Sequence, residues 1–173
     1  KRGKGLNVTI STSSFVPKPF TPFQWEPQDP VELLDDKQRF LKGKIKSRYI
    51  SYHWHDSRLS FLEAVFARGD RKLGRVLVRA WKKGCSFDSW AEHFRYDKWL
   101  EAFAECGLDP AFYANRRRDF EEVLPWDHID FGISKKFLIR ESEKALRGEV
   151  TPNCRQQCSA CGAAVFEGGV CIE

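Results

Sequence analysis

Methionine is missing from all 173 residues, position 1 included. The first residues, Lys1 to Leu6, carry no signal-peptide apolar region, and the residues after them read as the middle of a fold. The expectation is a piece of a longer protein whose amino-terminal part lies upstream. No apolar run approaches the ~20 residues a membrane helix needs, so no membrane partner is expected. There is no internal repeat, no low-complexity stretch, no P-loop, no G-x-G-x-x-G and no Ser/His/Asp order. Those absences remove the simplest signatures of phosphate-loop, dinucleotide and triad chemistry.

The composition that is present suits a packed domain. Hydrophobic residues make up 42% and aromatics 14% of the chain, a content that disordered segments do not carry. The net charge of +5 permits an anionic partner without demanding one.

The patterning predicts a mainly α fold with a few β-strands. Alternation at Leu6, Val8 and Ile10 reads as a strand, halted by Pro17, Pro19 and Pro22 in a loop from Phe15 to Pro27. Asp29-Pro30 reads as cap and first position of a helix running to about Lys46. Ile50, Tyr52 and Trp54 mark a second strand within Arg48 to His55. Asp56 or Ser57 then caps a helix to Ala67, with Leu59, Leu62, Val65 and Phe66 inward. A helix from Arg71 to Lys83 is expected to bury Leu73, Val76, Leu77, Ala80 and Trp81. Short helices are expected near Trp90 to Phe94, Asp97 to Cys106 and Asp109-Pro110, and a last one spans Ser134 to Arg147, closed by Gly148.

Six cysteines are present, and four crowd into the last 20 residues as Cys154-x3-Cys158-x2-Cys161-x9-Cys171. Such clustering reads as a metal site in a reducing compartment, the cytoplasm, rather than a disulfide framework. Four thiolates close a tetrahedral centre, and both zinc and an iron–sulfur cluster satisfy the spacing. The Gly after Cys161 lets backbone amides turn toward the sulfurs, and Gly168-Gly169 allows Cys171 to return. The first three cysteines also match the spacing of the radical S-adenosylmethionine (SAM) cluster motif. That identity is rejected, because Ala160 stands where an aromatic residue usually sits and only 12 residues follow Cys161, too few for a barrel.

Three further constellations have both a functional and a structural reading. His53 and His55 share one strand face and read as solvated. Arg68, Arg71, Lys72, Arg75, Arg79, Lys82 and Lys83 form a basic face, and Arg116-Arg117-Arg118 a second patch, so RNA is a possible partner. Asp127, His128 and Asp130 beside Trp126 read as a capped turn rather than an acid–base pair.

The run Ser11-Thr12-Ser13-Ser14-Phe15-Val16-Pro17-Lys18-Pro19-Phe20-Thr21-Pro22-Phe23-Gln24-Trp25 resembles the closing strand and loop of radical SAM barrels; most members have His where Phe20 stands. Leu62 to Arg71, Phe87 to Trp90, Leu124 to Asp130 and Thr151 to Gly162 resemble one radical SAM family in particular. Its members carry an amino-terminal cobalamin-binding-like domain and are paired with a partner domain of unknown function. The resemblance implies an enzyme that cleaves SAM reductively at a four-iron four-sulfur cluster held upstream, with cobalamin a possible further cofactor. Residues 1–55 would close the partial α/β barrel, 56–148 form a helical region and 149–173 the metal-binding tail. Phe15, Pro17, Lys18, Pro19, Thr21 and Trp25 would form a substrate loop at the barrel mouth, with Lys18 touching an anionic group. The family pattern places another Cys just after Gly162, where this chain has Ala163 and Ala164; Cys171 stands in for it. The alternative reading is an RNA- or protein-binding module with a structural zinc tail.

Overall fold

The computed structural model describes residues 6–166. They fall into two compact units, one made of residues 6–16 and 27–116, the other of 17–26 and 117–166. The described residues are mainly α-helical, with one two-stranded sheet among them. Among the described residues, no helix is long and apolar enough to cross a membrane.

The first unit opens with a β–α–β arrangement. Strand β1 (Val8–Thr12) and strand β2 (Ile50–Trp54) run parallel, with Val8 opposite Ile50 and Thr12 opposite Trp54. A parallel pair needs a long crossover, and helix α1 (Val31–Lys44) supplies it. The expected cap of α1 is corrected. Pro30 occupies the cap position with no side-chain bond, because Asp29 lies one residue too early and turns its carboxylate to Lys37. No residue of either strand is buried, and Leu34 alone is buried in α1.

Helices α2 (Ser57–Ala67), α3 (Leu73–Lys82), α4 (Tyr96–Glu105) and α5 (Pro110–Ala114) hold the core of this unit. Asp56 caps α2, accepting from the amides of Arg58 and Leu59 at 3.0 and 2.9 Å. Asp109 caps α5 through Ala111 at 2.9 Å, with Pro110 in the first turn. α2 is buried along Phe61, Leu62, Ala64 and Val65, and α3 packs with Leu73, Val76 and Ala80. Gly69 joins them because an added Cβ would meet Leu73 Cδ1 at 2.1 Å and the Val65 carbonyl at 3.0 Å.

Two helical expectations fail. Leu77 and Trp81 are 48% and 69% exposed rather than buried, because the helical period already fills the inward arc with Leu73, Val76 and Ala80. Trp90 to Phe94 forms successive turns rather than a helix, entered from Phe87 at φ 58°.

The second unit centres on Trp25, Leu124, Trp126 and Leu138, with Phe20, Phe120, Ile133, Phe137 and Ile139 around them. Its one α-helix, α6 (Lys135–Leu146), is capped by Ser134 Oγ, which accepts from the Phe137 amide at 3.2 Å, and Gly148 at φ 70° closes it as expected. A short 3-10 turn, Ala163–Phe166, ends the described chain.

Candidate metal centre

The cysteine tail is fastened to α6. The Thr151 hydroxyl donates to Glu141 Oε2 and accepts from Lys144 Nζ at 3.0 Å. The Arg140 guanidinium donates to the Ser159 carbonyl. The Ser134 amide, at the start of α6, donates to the Cys161 carbonyl at 2.8 Å. Thr151 holds the Glu141 carboxyl below the ordinary glutamate value, helped by Lys144 and Arg140 and opposed by burial.

Between these anchors, Cys158-Ser159-Ala160-Cys161-Gly162 folds into a double turn. The Ala160 amide donates to Cys158 Sγ at 3.5 Å and the Ala163 amide to Cys161 Sγ at 3.4 Å. Two left-handed residues make this possible, Ala160 at φ 51° and Gly162 at φ 104°. Left-handed backbone is costly for Ala, so the turn is held by its surroundings. Gly162 is required twice over, since a Cβ there would stand 2.8 Å from the Gly132 carbonyl oxygen.

Cys158 and Cys161 are the two expected ligands that this turn carries, each with a main-chain amide directed at its sulfur. Cys154 is exposed in the turn Asn153–Gln156, bounded by the Gln156 amide donating to the Asn153 carbonyl at 2.9 Å. It is not gathered with the other two. Among the described residues, no three of His, Cys, Asp and Glu form a ligand set. Cys171 and Gly168-Gly169 lie outside the described residues. Arg140, Lys144, Thr151, Gln157 and Cys158 line a cavity of about 280 Å3 beside the turn. Cys85 is a different kind of thiol. It is buried in the helical core, and burial, with Asp88 adding, pushes it up in pKa.

The expected substrate loop divides. Phe15, in the first unit, is half exposed, and its carbonyl accepts from Gln28 Nε2 at 3.0 Å. Pro17 and Trp25 are fully buried, Trp25 edge-on to Phe120 at 4.9 Å between centroids. The Thr21 hydroxyl donates to the Lys18 carbonyl at 2.9 Å, which closes a tight turn around Pro19. At its end Gln24 Oε1 accepts from the Phe20 amide and from Trp126 Nε1, at 3.0 and 2.6 Å. Phe20 is thereby held at φ 60° with its ring tilted against Phe131, 4.0 Å between centroids. Of the six, Lys18 and Phe15 present surface that a ligand can reach, while Trp25 and Pro17 shape the loop from inside.

Asp127 accepts from the Leu124 amide and from Lys135 Nζ, and Asp130 accepts from the Gly132 amide, a capped turn with His128 exposed. His53 is exposed on β2.

The basic face needs correction. Arg68 is fully buried and donates to the carbonyls of Tyr113, Ala114 and Arg116 at 2.7, 2.8 and 2.8 Å, tying off the end of α5. Arg118 is also buried, with its guanidinium over Trp126, so Arg116 to Arg118 is no continuous surface patch. Sequence reasoning also missed Gln24 and Gln28, buried amides that bind main-chain groups; two Gln within a Pro- and aromatic-rich loop were the available signal. Comparison with protein-family models, curated proteins and solved structures finds nothing that matches this chain.

Proposed function

We propose that this chain is the carboxy-terminal part of a radical SAM iron–sulfur enzyme, in which β1 and β2 are the closing strands of a partial barrel and the tail carries a second metal centre. The observation that supports this reading is the uncovered parallel sheet. Parallel sheets are stable when helices or further strands cover both faces and when more than two strands pair. Here neither strand buries a residue. Val8 and Trp54 are each 41% exposed, and Leu33, Phe40 and Leu41 on the crossover helix are exposed too. A β–α–β unit left open in this way suits strands that continue a larger sheet. The motifs from Ser11 to Trp25, Leu62 to Arg71 and Leu124 to Asp130 supply the family resemblance.

On this reading the four-iron four-sulfur cluster, SAM and any cobalamin are held upstream, and the cluster supplies the electron that cleaves SAM. This chain contributes the loop after β1, whose Thr21–Lys18 and Gln24–Phe20 bonds fix its shape. Its reducing, cytoplasmic setting follows from the free cysteine cluster. The test compares two proteins reconstituted anaerobically with iron and sulfide and then reduced. The longer protein containing a C-x3-C-x2-C motif upstream should consume SAM, and residues 1–173 alone should not. SAM cleavage by residues 1–173, or none by the longer protein, would overturn the reading.

A further inference from the structure

The positive charge of this chain is concentrated on one helix. From Arg71 to Phe87 there are six Lys or Arg residues and no Asp or Glu. The whole chain carries 29 basic and 24 acidic residues, so without these six the balance is 23 against 24. The net charge of +5 is thus a property of α3 and its flanks, and the rest of the chain is close to neutral. A charge scattered for solubility would not be so distributed.

The helical period sorts these residues. Leu73, Val76 and Ala80 face the core, while Arg71, Arg75 and Lys82, four and seven positions apart, share one outward stripe with Val78. The stripe lines a groove of about 690 Å3, opened by the missing side chain of Gly74. Its one acid, Glu105, is already satisfied by Lys83 at 2.6 Å and Arg79 at 3.8 Å. Among the described residues, Arg71, Arg75 and Lys82 make no ion pair. Three cations therefore face solvent together, beside two more that neutralise the local carboxylate.

Beside the stripe, outside the lining of the groove itself, stands an exposed ring. Trp81 is 69% exposed, next to Lys82 in sequence and one helical turn on from Val78, itself 52% exposed. A large indole left in water at the edge of a cation stripe is a stacking surface. Backbone-tracking cations beside an exposed ring are the components with which proteins hold unpaired nucleotides, phosphates on the charges and a base on the ring. A duplex keeps its bases stacked on each other and an acidic peptide has no base to stack, so neither uses Trp81.

We propose that the α3 groove binds single-stranded nucleic acid, with Arg71, Arg75 and Lys82 on the phosphates and Trp81 stacked on a base. This stands on charge and exposure in the first unit alone and is independent of the SAM reading. The test titrates residues 1–173 against labelled 12-nucleotide single strands of RNA and of DNA over a range of KCl. Three neutralised phosphates predict a slope of log affinity against log salt near about −2. Arg75→Glu with Lys82→Glu should weaken binding by about tenfold or more and flatten that slope. Trp81→Ala should weaken it by about tenfold with the slope unchanged, and a duplex of equal length should bind less tightly than the single strand.

All three substituted side chains are exposed, so circular dichroism should be unaltered. If the Glu pair misfolds, Arg75→Gln with Lys82→Gln reads the same effect. Binding that is absent at low salt, or unchanged in these variants, overturns the proposal. So does a polyglutamate peptide that competes as well as the oligonucleotides, which would assign the groove to an acidic protein.

Discussion

The main-chain amide of Ser134 donates to the carbonyl of Cys161 at 2.8 Å. The residue that starts α6 with its side chain thus pins the cysteine turn with its backbone, while Gly162 presses against Gly132 on the same loop. The turn that carries Cys158 and Cys161 is thus held in place by the start of α6.

That arrangement makes Gly162 a sensitive position. Gly162→Ala places a Cβ 2.8 Å from the Gly132 oxygen at a φ of 104°. The strain should cost about 2 kcal/mol of tail docking and weaken metal binding by about tenfold or more. Competition with a chelator measures it. Affinity equal to the parent would show that this turn is not part of a metal site.

Thiol reactivity gives a second check. Cys154 and Cys158 are exposed, whereas Cys85 is buried and its burial favours the protonated, unreactive form. Alkylation of metal-free protein should label the tail within minutes and Cys85 only on unfolding. Added zinc, or anaerobic reconstitution with iron and sulfide, should protect Cys158 and Cys161, and Cys158→Ser with Cys161→Ser should bind no metal. Labelling of Cys158 that metal does not alter would count against the centre.

Docking of the tail should depend on pH through Glu141. Thr151, Lys144 and Arg140 lower its folded pKa, so the stabilisation is fully present above the ordinary glutamate range. It is lost as pH falls through the depressed folded value. Hydrogen exchange at Ser159 to Ala163 should therefore speed up under acid beyond the intrinsic rate, and Glu141→Gln should remove that dependence. An identical pH profile in the variant would show that Glu141 does not anchor the tail.

Arg68 is predicted to be among the costliest side chains to remove. Arg68→Met would leave three main-chain carbonyls without their donor, and buried unsatisfied groups cost about 1–3 kcal/mol each. Allowing for partial relaxation, a loss of about 3–5 kcal/mol is expected from urea unfolding, with Arg68→Lys intermediate. A change below about 1 kcal/mol would contradict the assigned role.

Part of this was legible in the sequence and part was not. Helix ends were legible where a short polar side chain sat at the right offset, as at Asp56, Asp109 and Ser134, because capping is local chemistry. The same logic failed at Asp29, where Lys37, two turns into the helix, took the carboxylate. Arg68 looked like one more member of a basic face; its burial depends on carbonyls some 45 residues away, which no local pattern encodes. Trp81 looked like core because it is large and apolar, although the periodicity around Leu73, Val76 and Ala80 already places it outside. At the tail, cysteine spacing grouped Cys154, Cys158, Cys161 and Cys171 as one ligand set; among the described residues Cys158 and Cys161 share one turn, and Cys154 is not gathered with them. The left-handed Ala160 and the anchoring by Arg140 became visible only in three dimensions.

The open sheet offers a direct probe of the proposed barrel. In residues 1–173 alone, amides of β1 and β2 should exchange quickly, because two exposed strands hold few buried contacts. In the longer protein the same amides should be strongly protected.

SAM turnover tests the central claim most directly. After anaerobic reconstitution and reduction, the longer protein is expected to consume SAM and lose that activity when its upstream C-x3-C-x2-C cysteines are changed to Ala, while residues 1–173 remain inert. Turnover by residues 1–173, or its survival in the upstream cysteine variant, would contradict the assignment of this chain as the non-catalytic end of a radical SAM enzyme.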